Sequence, residues 1–293
     1  MKIFLTGGTG FIGSHLINSL HESGHSVFCL IRKDSSSQTH FKKQPKWVEG
    51  ELGNGSFQNL PNCDLVIHLA ASGVKSSWRD WNDCIKTNIV GTNELLNNIK
   101  KLKSPPTLIY PRTFYENHFE QILELSKNPY FATKFATTNI VKLWSENNPN
   151  IPVLFTTIFQ VYGIGDDKKN VLSYTIDSIN QRKTVNLGNP DILRDWIYIE
   201  DLIDAFMKLI NQKNKITSFY DLGTGNLFTL KNMIDIINNC MKKKNPKLNY
   251  NHFKNTFDSK VDSSAKFFVP GWTQSFSNKK GIKQFINNSI NSN

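Results

Sequence analysis

The sequence predicts an α/β fold, a doubly wound Rossmann-type parallel sheet with a smaller C-terminal α/β lobe. Strand-like apolar runs alternate with helical patterns through the first half of the 293-residue chain, an order typical of a parallel sheet covered by helices on both faces. A glycine-rich turn, TGGTGFIG, stands between the first strand and the first helix. In this fold class such a turn receives the phosphates of a dinucleotide.

The predicted elements follow one another in a regular order. Residues 2–6 (KIFLT) form an apolar strand, the apolar positions of IGSHLINSLHESGH recur at helical spacing, and Gly24 is expected to end that helix. Further strands are predicted at SVFCLI, KWVEGEL, CDLVIHLAA, PTLIYP and IPVLFTTIF, and helices at WNDCIKTNIVGTNELLNNIKK and residues 130–146. Beyond residue 163 we expect a polar loop, a helix near 171–182, and a strand and helix in DWIYIEDLIDAFMKLI. From FTLKNMIDIINNCMKK to the end we expect a smaller lobe of helices and short strands.

This order indicates two functional parts. We predict a dinucleotide-binding domain over residues 1–163, to which 191–225 returns. The remaining segments, 164–190 and 226–293, are expected to form a substrate-binding lobe. The sequence contains neither an internal repeat nor a low-complexity linker, so we expect the two parts to pack against each other.

The composition argues against several classes of function. A formal charge of +11 would suit a nucleic acid or an acidic substrate, but the lysines are scattered among asparagines, as on a solvated surface, so we expect no nucleic-acid partner. No apolar run reaches the ~18 residues of a membrane span, and the N-terminus does not resemble a signal peptide. The four irregularly spaced cysteines include no CxxC pair and predict neither disulfides nor a metal site. We therefore expect a cytoplasmic protein without membrane insertion.

The glycine turn is the first candidate binding site. Gly7, Gly10 and Gly13 have a GxxGxxG spacing. Glycine permits a tight turn and lets a phosphate approach bare backbone N–H groups, while the following helix directs its positive N-terminus to the same place. Phe11 and Ile12 begin that helix and complete the predicted contacts. A dinucleotide site is therefore favoured over a purely structural turn.

The end of the second strand distinguishes NADP from NAD. NAD sites carry an acidic residue there, which accepts a hydrogen bond from the ribose 2′-hydroxyl. This chain has Ile31 at that position, followed by Arg32 and Lys33, and two cations favour a 2′-phosphate. We predict NADP. Two alternatives stay open: the cations belong to a solvated strand end, or Asp34 serves the hydroxyl and the cofactor is NAD.

Several motifs in the right order resemble the extended short-chain dehydrogenase/reductase family, which contains nucleotide-sugar epimerases, dehydratases and reductases. They are TGGTGFIG, VIHLAA, KTNIVGTNELL, YFATK, QVYGIGD and RDWIYIEDLIDAF, and they extend over nearly the whole chain. The resemblance implies a nicotinamide dinucleotide cofactor and a homodimer. It also implies further cofactor contacts from Glu51, Leu52, Leu69, Ala70 and Ala71.

The resemblance assigns roles to three catalytic candidates. Tyr130 and Lys134 lie one helical turn apart, and a neighbouring ammonium lowers the pKa of a tyrosine by stabilising the phenolate. In the family this tyrosine donates a proton, and the lysine also holds the nicotinamide ribose. Thr113, in LIYPRTFYEN, is the expected third member. A YxxxK spacing by chance on a surface is the alternative.

The neighbouring residues discriminate among the family's activities. Related 4,6-dehydratases carry an Asp-Glu pair after this threonine, whereas this chain has Phe114 and Tyr115. Only 16 residues separate Thr113 from Tyr130, a short loop similar to that of the CDP-abequose and CDP-paratose synthases. We therefore expect an NADPH-dependent reductase of the C4 ketone of a nucleotide-activated 4-keto-6-deoxy or 3,6-dideoxy sugar, in deoxysugar or surface polysaccharide biosynthesis. An NAD-dependent nucleotide-sugar 4-epimerase and a non-catalytic dinucleotide-sensing protein are the alternatives.

The resemblance also implies a nucleotide-diphosphate sugar as substrate. Arg194 occupies the position of an arginine that meets the substrate diphosphate, and Gln160 stands where the family often has an asparagine. An ion pair of Arg194 with the adjacent aspartate is the structural alternative. Lys260 is a further candidate for a phosphate contact. His68 and Asn88 are interpreted as structural.

Overall fold

The computed structural model describes residues 1–33, 41–74, 80–212, 215–241, 246–250, 261 and 264–291. They form two compact units, Met1–Thr157 with Leu209–Tyr220, and Ile158–Lys208 with Asp221–Asn293. The functional division that we predict from the sequence stays a prediction. Two candidates, Asp34 and Lys260, lie outside the described residues.

The strands in chain order begin with an apolar run at the N-terminus. They are β1 (Lys2–Thr6), β2 (Ser26–Ile31), β3 (Lys46–Glu49), β4 (Leu65–His68), β5 (Thr107–Thr113), β6 (Val153–Ile158), β7 (Gln160–Tyr162), β8 (Val185–Leu187), β9 (Leu193–Tyr198), β10 (Ser218–Leu222), β11 (Leu227–Thr229) and β12 (Leu248–Tyr250). The helices are α1 (Phe11–Glu22), α2 (Trp81–Cys84), α3 (Gly91–Lys100), α4 (Leu123–Ser126), α5 (Pro129–Glu146), α6 (Val171–Asn180), α7 (Ile199–Ile210), α8 (Leu230–Met241) and α9 (Asn278–Asn291). A π-helical segment (Ile85–Val90) joins α2 to α3, and a 3₁₀ helix (Phe114–His118) follows β5.

A seven-stranded sheet organises the first unit, with the strand order β10-β6-β5-β4-β1-β2-β3. β1 pairs in parallel with β2 on one side and with β4 on the other, so the strand order reverses at β1. In doubly wound folds, ligands bind outside the carboxyl ends of the strands at this reversal. The arrangement confirms the predicted fold class.

Apolar side chains on both faces explain why these strands lie inside the sheet. Every residue of β4 is buried, and Phe4, Leu108 and Phe155 on other strands are each at most 1% exposed. The helices contribute Leu95 and Val141, which are fully buried in the same cluster. Strands buried on both faces are characteristic of parallel sheets covered by helices.

Helix α1 ends as its sequence predicts. The N–H of Gly24 donates to the carbonyl of His21, and the N–H of His25 donates to the carbonyl of Leu20, both at 3.0 Å. These are the two hydrogen bonds of a Schellman motif, whose terminal residue adopts a left-handed conformation. Gly24 does so, with φ of 77°, and the chain then enters β2.

The second unit contains two small sheets. β9 is the central strand of the first sheet, parallel to β7 and antiparallel to β11. β8 and β12 form a parallel pair. Helices α6 and α7 confirm the helices predicted near residues 171–182 and in DWIYIEDLIDAFMKLI, and α8 lies in the part for which helices and short strands are predicted. Among the described helices, none combines the length and the apolar character that a membrane crossing requires.

Candidate active site

The glycine turn after β1 is too tight for side chains at two positions. Gly7 has φ of 75°, and a Cβ atom there would lie 2.6 Å from the backbone nitrogen of Ala70. A Cβ atom at Gly13 would collide with the carbonyl oxygen of Gly7 and would lie 2.7 Å from the Cα atom of Gly8. Both glycines are therefore required for the close packing of β1, α1 and the segment after β4.

The start of α1 provides backbone donors without a competing side chain. Gly10 caps the helix without a side-chain hydrogen bond, and the first turn contains no acidic residue. The first N–H groups of a helix have no intrahelical acceptor and carry the positive end of the helix dipole. Phe11, Ile12 and Gly13 supply these groups. The turn and helix start therefore fit the pyrophosphate of a dinucleotide.

The candidates after β4 lie directly beside the glycine turn. The N–H of Leu69 donates to the carbonyl of Thr6 at 3.2 Å, and the N–H of Ala70 donates to Oγ1 of Thr6 at 3.2 Å. Ala71 follows them. The structure thus brings these candidates and the glycine turn to the same end of the sheet, at the reversal of strand order.

The candidates after β2 and β3 have different surroundings. Arg32 and Lys33 are exposed directly after β2, where a ligand could reach both cations. The Glu51 carboxylate is engaged by Lys86 at 3.0 Å and by the amide of Asn54 at 2.8 Å. Leu52 is 4% exposed and belongs to the hydrophobic core. Their cofactor contacts stay predictions.

A chain of buried hydrogen bonds fixes the segment after β4. Oγ1 of Thr6 accepts from Ala70 and donates to Nδ1 of His68 at 2.7 Å. Nε2 of His68 donates to Oγ1 of Thr92 at 2.9 Å, and that hydroxyl donates to the carbonyl of Asn88. Because burial, followed by the charge of Lys134, lowers the pKa of His68 to about 3, the imidazole is neutral. His68 is structural, as the buried strand pattern predicts.

Asn88 connects the segment after β4 to helix α5. Its Oδ1 accepts from the N–H of Ser72 at 2.8 Å, and its Nδ2 donates to the carbonyl of Ser72 at 3.1 Å and to Oγ1 of Thr133 at 2.9 Å. Its carbonyl accepts from Oγ1 of Thr137 at 3.1 Å. The π-helical segment that contains Asn88 thereby holds α5 in place, which agrees with the structural role expected for this residue.

Tyr130 lies at the start of α5, close to the segment after β4. Asn128 caps the helix by accepting from the N–H of Tyr130 at 3.0 Å, and Pro129 occupies the first helical position. Gly73 has φ of 85°, and a Cβ atom there would lie 3.1 Å from the Cβ atom of Tyr130. Tyr130 therefore lies next to the segment that adjoins the glycine turn, and its side chain is half-buried.

Lys134 is a buried ammonium fixed to the end of β5. Its Nζ donates to the carbonyl of Pro111 at 2.8 Å and to the hydroxyl of Tyr110 at 3.3 Å, and lies 4.5 Å from the centre of the Tyr110 ring. Burial lowers the pKa of Lys134 to about 8; Glu116 raises it and Arg112 lowers it further. The side chain is mostly protonated near neutral pH and is held in one position.

Thr113 occupies the last position of β5, two residues after the carbonyl that binds Lys134. It is 8% exposed and forms a capping box with Glu116, in which the N–H of Thr113 donates to Oε1 of Glu116 at 2.9 Å. Phe114 follows it, and its ring lies 4.3 Å from that of Tyr115. The strand end and α5 thus bring the three catalytic candidates into one region of the first unit.

The substrate candidates lie in the second unit. Arg194 is 4% exposed, and its guanidinium donates to the carbonyls of Leu193 and Val261. The adjacent Asp195 accepts from the backbone N–H groups of Thr224 and Gly225 at 2.7 and 2.8 Å, and also from the Thr224 hydroxyl and Ala265 N–H. Gln160 lines a pocket of about 200 Å³. Their contacts with substrate stay predictions.

A family model matches most of the chain. The model of the NAD dependent epimerase/dehydratase family covers residues 3–223, a range that includes the glycine turn and every catalytic candidate. The chain belongs to this family. Membership confirms the resemblance found in the motifs and identifies the protein as an oxidoreductase-type enzyme.

Individual known proteins resemble the chain over nearly its whole length. CDP-abequose synthase of Salmonella muenchen is 24% identical over 291 residues, with 97% of each chain covered. The crystal structure of a UDP-glucose 4-epimerase of Thermotoga maritima with UDP-glucose has a TM-score of 0.81 at 22% identity, covering 100% of this chain and 99% of that one. MoeE5 in complex with UDP-glucuronic acid and NAD has a TM-score of 0.80 at 20% identity, with both chains fully covered.

Sequence reasoning missed one feature of this epimerase/dehydratase site. Arg112 and Glu116 form an ion pair at 3.4 Å, and their side chains are 14% and 0% exposed. The T-x-x-E spacing of Thr113 and Glu116 is that of a capping box, so the sequence did contain a signal for Glu116. Within the described ranges, no group of three or more His, Cys, Asp or Glu residues is placed to hold a metal ion.

Proposed function

We propose that the protein is an NADPH-dependent reductase of the C4 ketone of a nucleotide-activated 4-keto-6-deoxy or 3,6-dideoxy sugar, in deoxysugar or surface polysaccharide biosynthesis. The observation that carries the proposal is the site at the end of β5. It combines Thr113, Tyr130 and the buried ammonium of Lys134, with Phe114 and Tyr115 in place of an acidic pair. The full-length similarity to a CDP-abequose synthase supports the choice of substrate class.

The chain's own residues account for the proton and charge steps. The nicotinamide, when bound, supplies hydride transfer to carbon. Tyr130 donates its hydroxyl proton to the ketone oxygen, and the Thr113 hydroxyl hydrogen-bonds to that oxygen. Lys134 follows Tyr130 by one helical turn, and its ammonium, which the carbonyl of Pro111 holds in place, stabilises the phenolate that Tyr130 becomes. Donors fixed in advance need no reorganisation during the reaction.

The absence of an acid-base pair after Thr113 favours reduction over dehydration. Removal of water from a sugar requires a proton donor and a base placed beside the leaving hydroxyl. Phe114 is buried, and the Tyr115 ring lies between the rings of Phe114 and Phe131, 4.3 Å from each. These aromatic side chains supply neither of the two carboxylates that such a proton donor and base would need.

The cations after β2 support NADP as the cofactor. Arg32 and Lys33 are exposed at the strand end nearest to the expected adenosine ribose. A guanidinium binds a phosphate with two parallel hydrogen bonds. NAD, which MoeE5 binds, is the alternative cofactor.

The experiment that tests the reductase offers NADPH or NADH with a panel of 4-keto sugar nucleotides that differ in base, and follows nicotinamide oxidation. Oxidation of NADPH that depends on one of the sugars is expected. The second candidate is an NAD-dependent 4-epimerase, favoured by the fold likeness to a UDP-glucose 4-epimerase. Tightly bound NAD in the purified protein, with interconversion of epimers and no added cofactor, would establish that candidate instead.

We further propose that the enzyme is a cytoplasmic homodimer with a nucleotide-diphosphate sugar bound by Gln160 and Arg194. Exposed apolar side chains on neighbouring helical segments of the first unit support the dimer. Helix α5 packs against α2 and the π-helical segment. The exposed side chains there are Trp81 (45%), Ile85 (42%), Val90 (43%), Ile140 (37%) and Leu143 (61%).

A further inference from the structure

Glu116 is a buried carboxylate with two different kinds of partner. Its side chain is 0% exposed. Oε1 accepts from the backbone N–H of Thr113 at 2.9 Å, and Oε2 faces Nε of Arg112 at 3.4 Å. A buried carboxylate is costly unless it is both hydrogen-bonded and paired with a cation, and Glu116 meets both conditions. It is therefore anchored to the residue that we assign to carbonyl binding.

The same carboxylate belongs to the electrostatic surroundings of Lys134. Nζ of Lys134 is bound to the carbonyl of Pro111, between Arg112 and Tyr110 in the sequence of β5. Glu116 is the anion that acts on Lys134, and Arg112 is the opposing cation. The titratable groups around Lys134 are His68, Tyr110, Arg112 and Glu116. Tyr130 acts on the neighbouring Tyr110.

We propose that Glu116 is a positioning residue of the active site, which fixes Thr113 through the capping box and acts as the counter-ion that keeps the buried Lys134 charged. The counter-ion role rests on the proposed function, in which Lys134 must be an ammonium. Of the groups around Lys134, His68 is neutral, Arg112 is a cation, and the buried Tyr110 hydroxyl has a raised pKa. Among the described residues that act on Lys134, Glu116 is thus the group that supplies negative charge without taking part in the proton transfer.

A purely structural role of Glu116 predicts a different effect when its negative charge is removed. A capping box forms equally well with glutamine at this position, so a residue needed only as a cap would tolerate Glu116→Gln. A counter-ion would not, because the amide keeps the hydrogen bond to Thr113 and loses the charge. The Glu116→Gln variant therefore separates the two roles.

The test measures the pKa of Lys134 directly, by NMR of protein labelled with ¹³C at the lysine ε-carbons. The signal of Lys134 is assigned as the one that disappears in the Lys134→Arg variant. An opposite charge at short range shifts a pKa by about one unit or more. In Glu116→Gln we therefore expect the Lys134 midpoint to fall from about 8 by about one pH unit, with about 5-fold less ammonium at pH ~8. If the enzyme is a reductase, the alkaline limb of its pH profile for kcat should move to lower pH by the same amount.

A matched pair of variants removes the risk that an unpaired Arg112 prevents folding. Arg112→Gln should raise the midpoint of Lys134, and Arg112→Gln with Glu116→Gln should return it close to the wild-type value. The difference in the titration midpoint of Lys134 between these two variants isolates the effect of the Glu116 charge. An unchanged Lys134 midpoint in both comparisons would overturn the counter-ion role. Since NMR needs no substrate, failure of the reductase assay would refute the proposed function and leave this result standing.

Discussion

Replacement of Lys134 by methionine should stabilise the folded protein at neutral pH while abolishing catalysis. The folded-state pKa of Lys134 falls from 10.5 to about 8, with burial as the main cause. At about 1.4 kcal/mol per pH unit, this corresponds to a cost of about 3 kcal/mol for the buried charge. Loss of the hydrogen bond to the carbonyl of Pro111 offsets about 1 kcal/mol of the gain. The net expectation is an increase of about 2 kcal/mol in the free energy of unfolding.

The pH dependence of this effect has a definite sign. Between pH 8 and 10.5 the unfolded chain binds the Lys134 proton and the folded chain has released it, so the contribution of Lys134 to stability rises with pH through this window. Below about pH 8 the folded protein bears the full free-energy cost of the buried charge, and above about pH 10.5 this cost vanishes. The advantage of Lys134→Met should therefore be largest near pH 7 and should disappear by about pH 10.5.

The assay is urea unfolding of the protein without cofactor, for wild type and variant, at about pH 7 and about pH 10. Lys127→Met is the matched control, since Lys127 is an exposed lysine just before α5 and its replacement should change stability by no more than about 0.5 kcal/mol at either pH. A Lys134→Met variant that is less stable than wild type at pH 7, or whose advantage is the same at both pH values, would refute the idea that the buried ammonium is costly.

Three further predictions concern catalysis, cofactor choice and assembly. Tyr130→Phe should lower kcat by about 10²- to 10⁴-fold, the usual worth of a general acid, with unchanged NADPH affinity in a fluorescence titration; wild-type turnover would contradict its role. Arg32→Ala should weaken NADPH binding about 10-fold through loss of a charge-assisted phosphate contact and leave NADH binding unchanged; equal losses for both would argue against a 2′-phosphate site. Ile85→Lys should convert a dimer to a monomer in light scattering coupled to gel filtration, whereas the exposed Ile216→Lys should not; a monomeric wild type would exclude the dimer.

Local features of the chain were predictable because their physical causes lie within a few residues. The turn at Gly7 and Gly13 needs residues without Cβ atoms, and the left-handed Gly24 ends α1. The spacing of Tyr130 and Lys134 follows from helical geometry alone. Each of these signals can be read from a short window of sequence, and the structure places each where that window predicts.

Features that join distant segments were not predictable in the same way. The guanidinium of Arg194 donates to the carbonyl of Val261, 67 residues away, and no local pattern encodes that contact. The π-helical turn that directs Asn88 toward both Ser72 and Thr133 breaks the 3.6-residue period on which helix prediction rests. The low pKa of Lys134 likewise depends on the packing of α5 against β5, which periodicity does not describe.

The charges at the end of β5 explain why an unfavourable lysine is retained. A cost of about 3 kcal/mol is large beside the ~5–15 kcal/mol that typically stabilises a folded domain, and the role proposed for the Lys134 ammonium in the reaction would account for it. With Arg112 and Lys134 as cations and Glu116 as the anion, this cluster has a net charge of +1 before anything binds. In the proposed reaction, that surplus would complement the negative charge that Tyr130 acquires on giving up its proton, and the buried surroundings would strengthen the attraction. In this proposal Glu116 supplies enough negative charge to keep Lys134 protonated and leaves one positive charge for the phenolate.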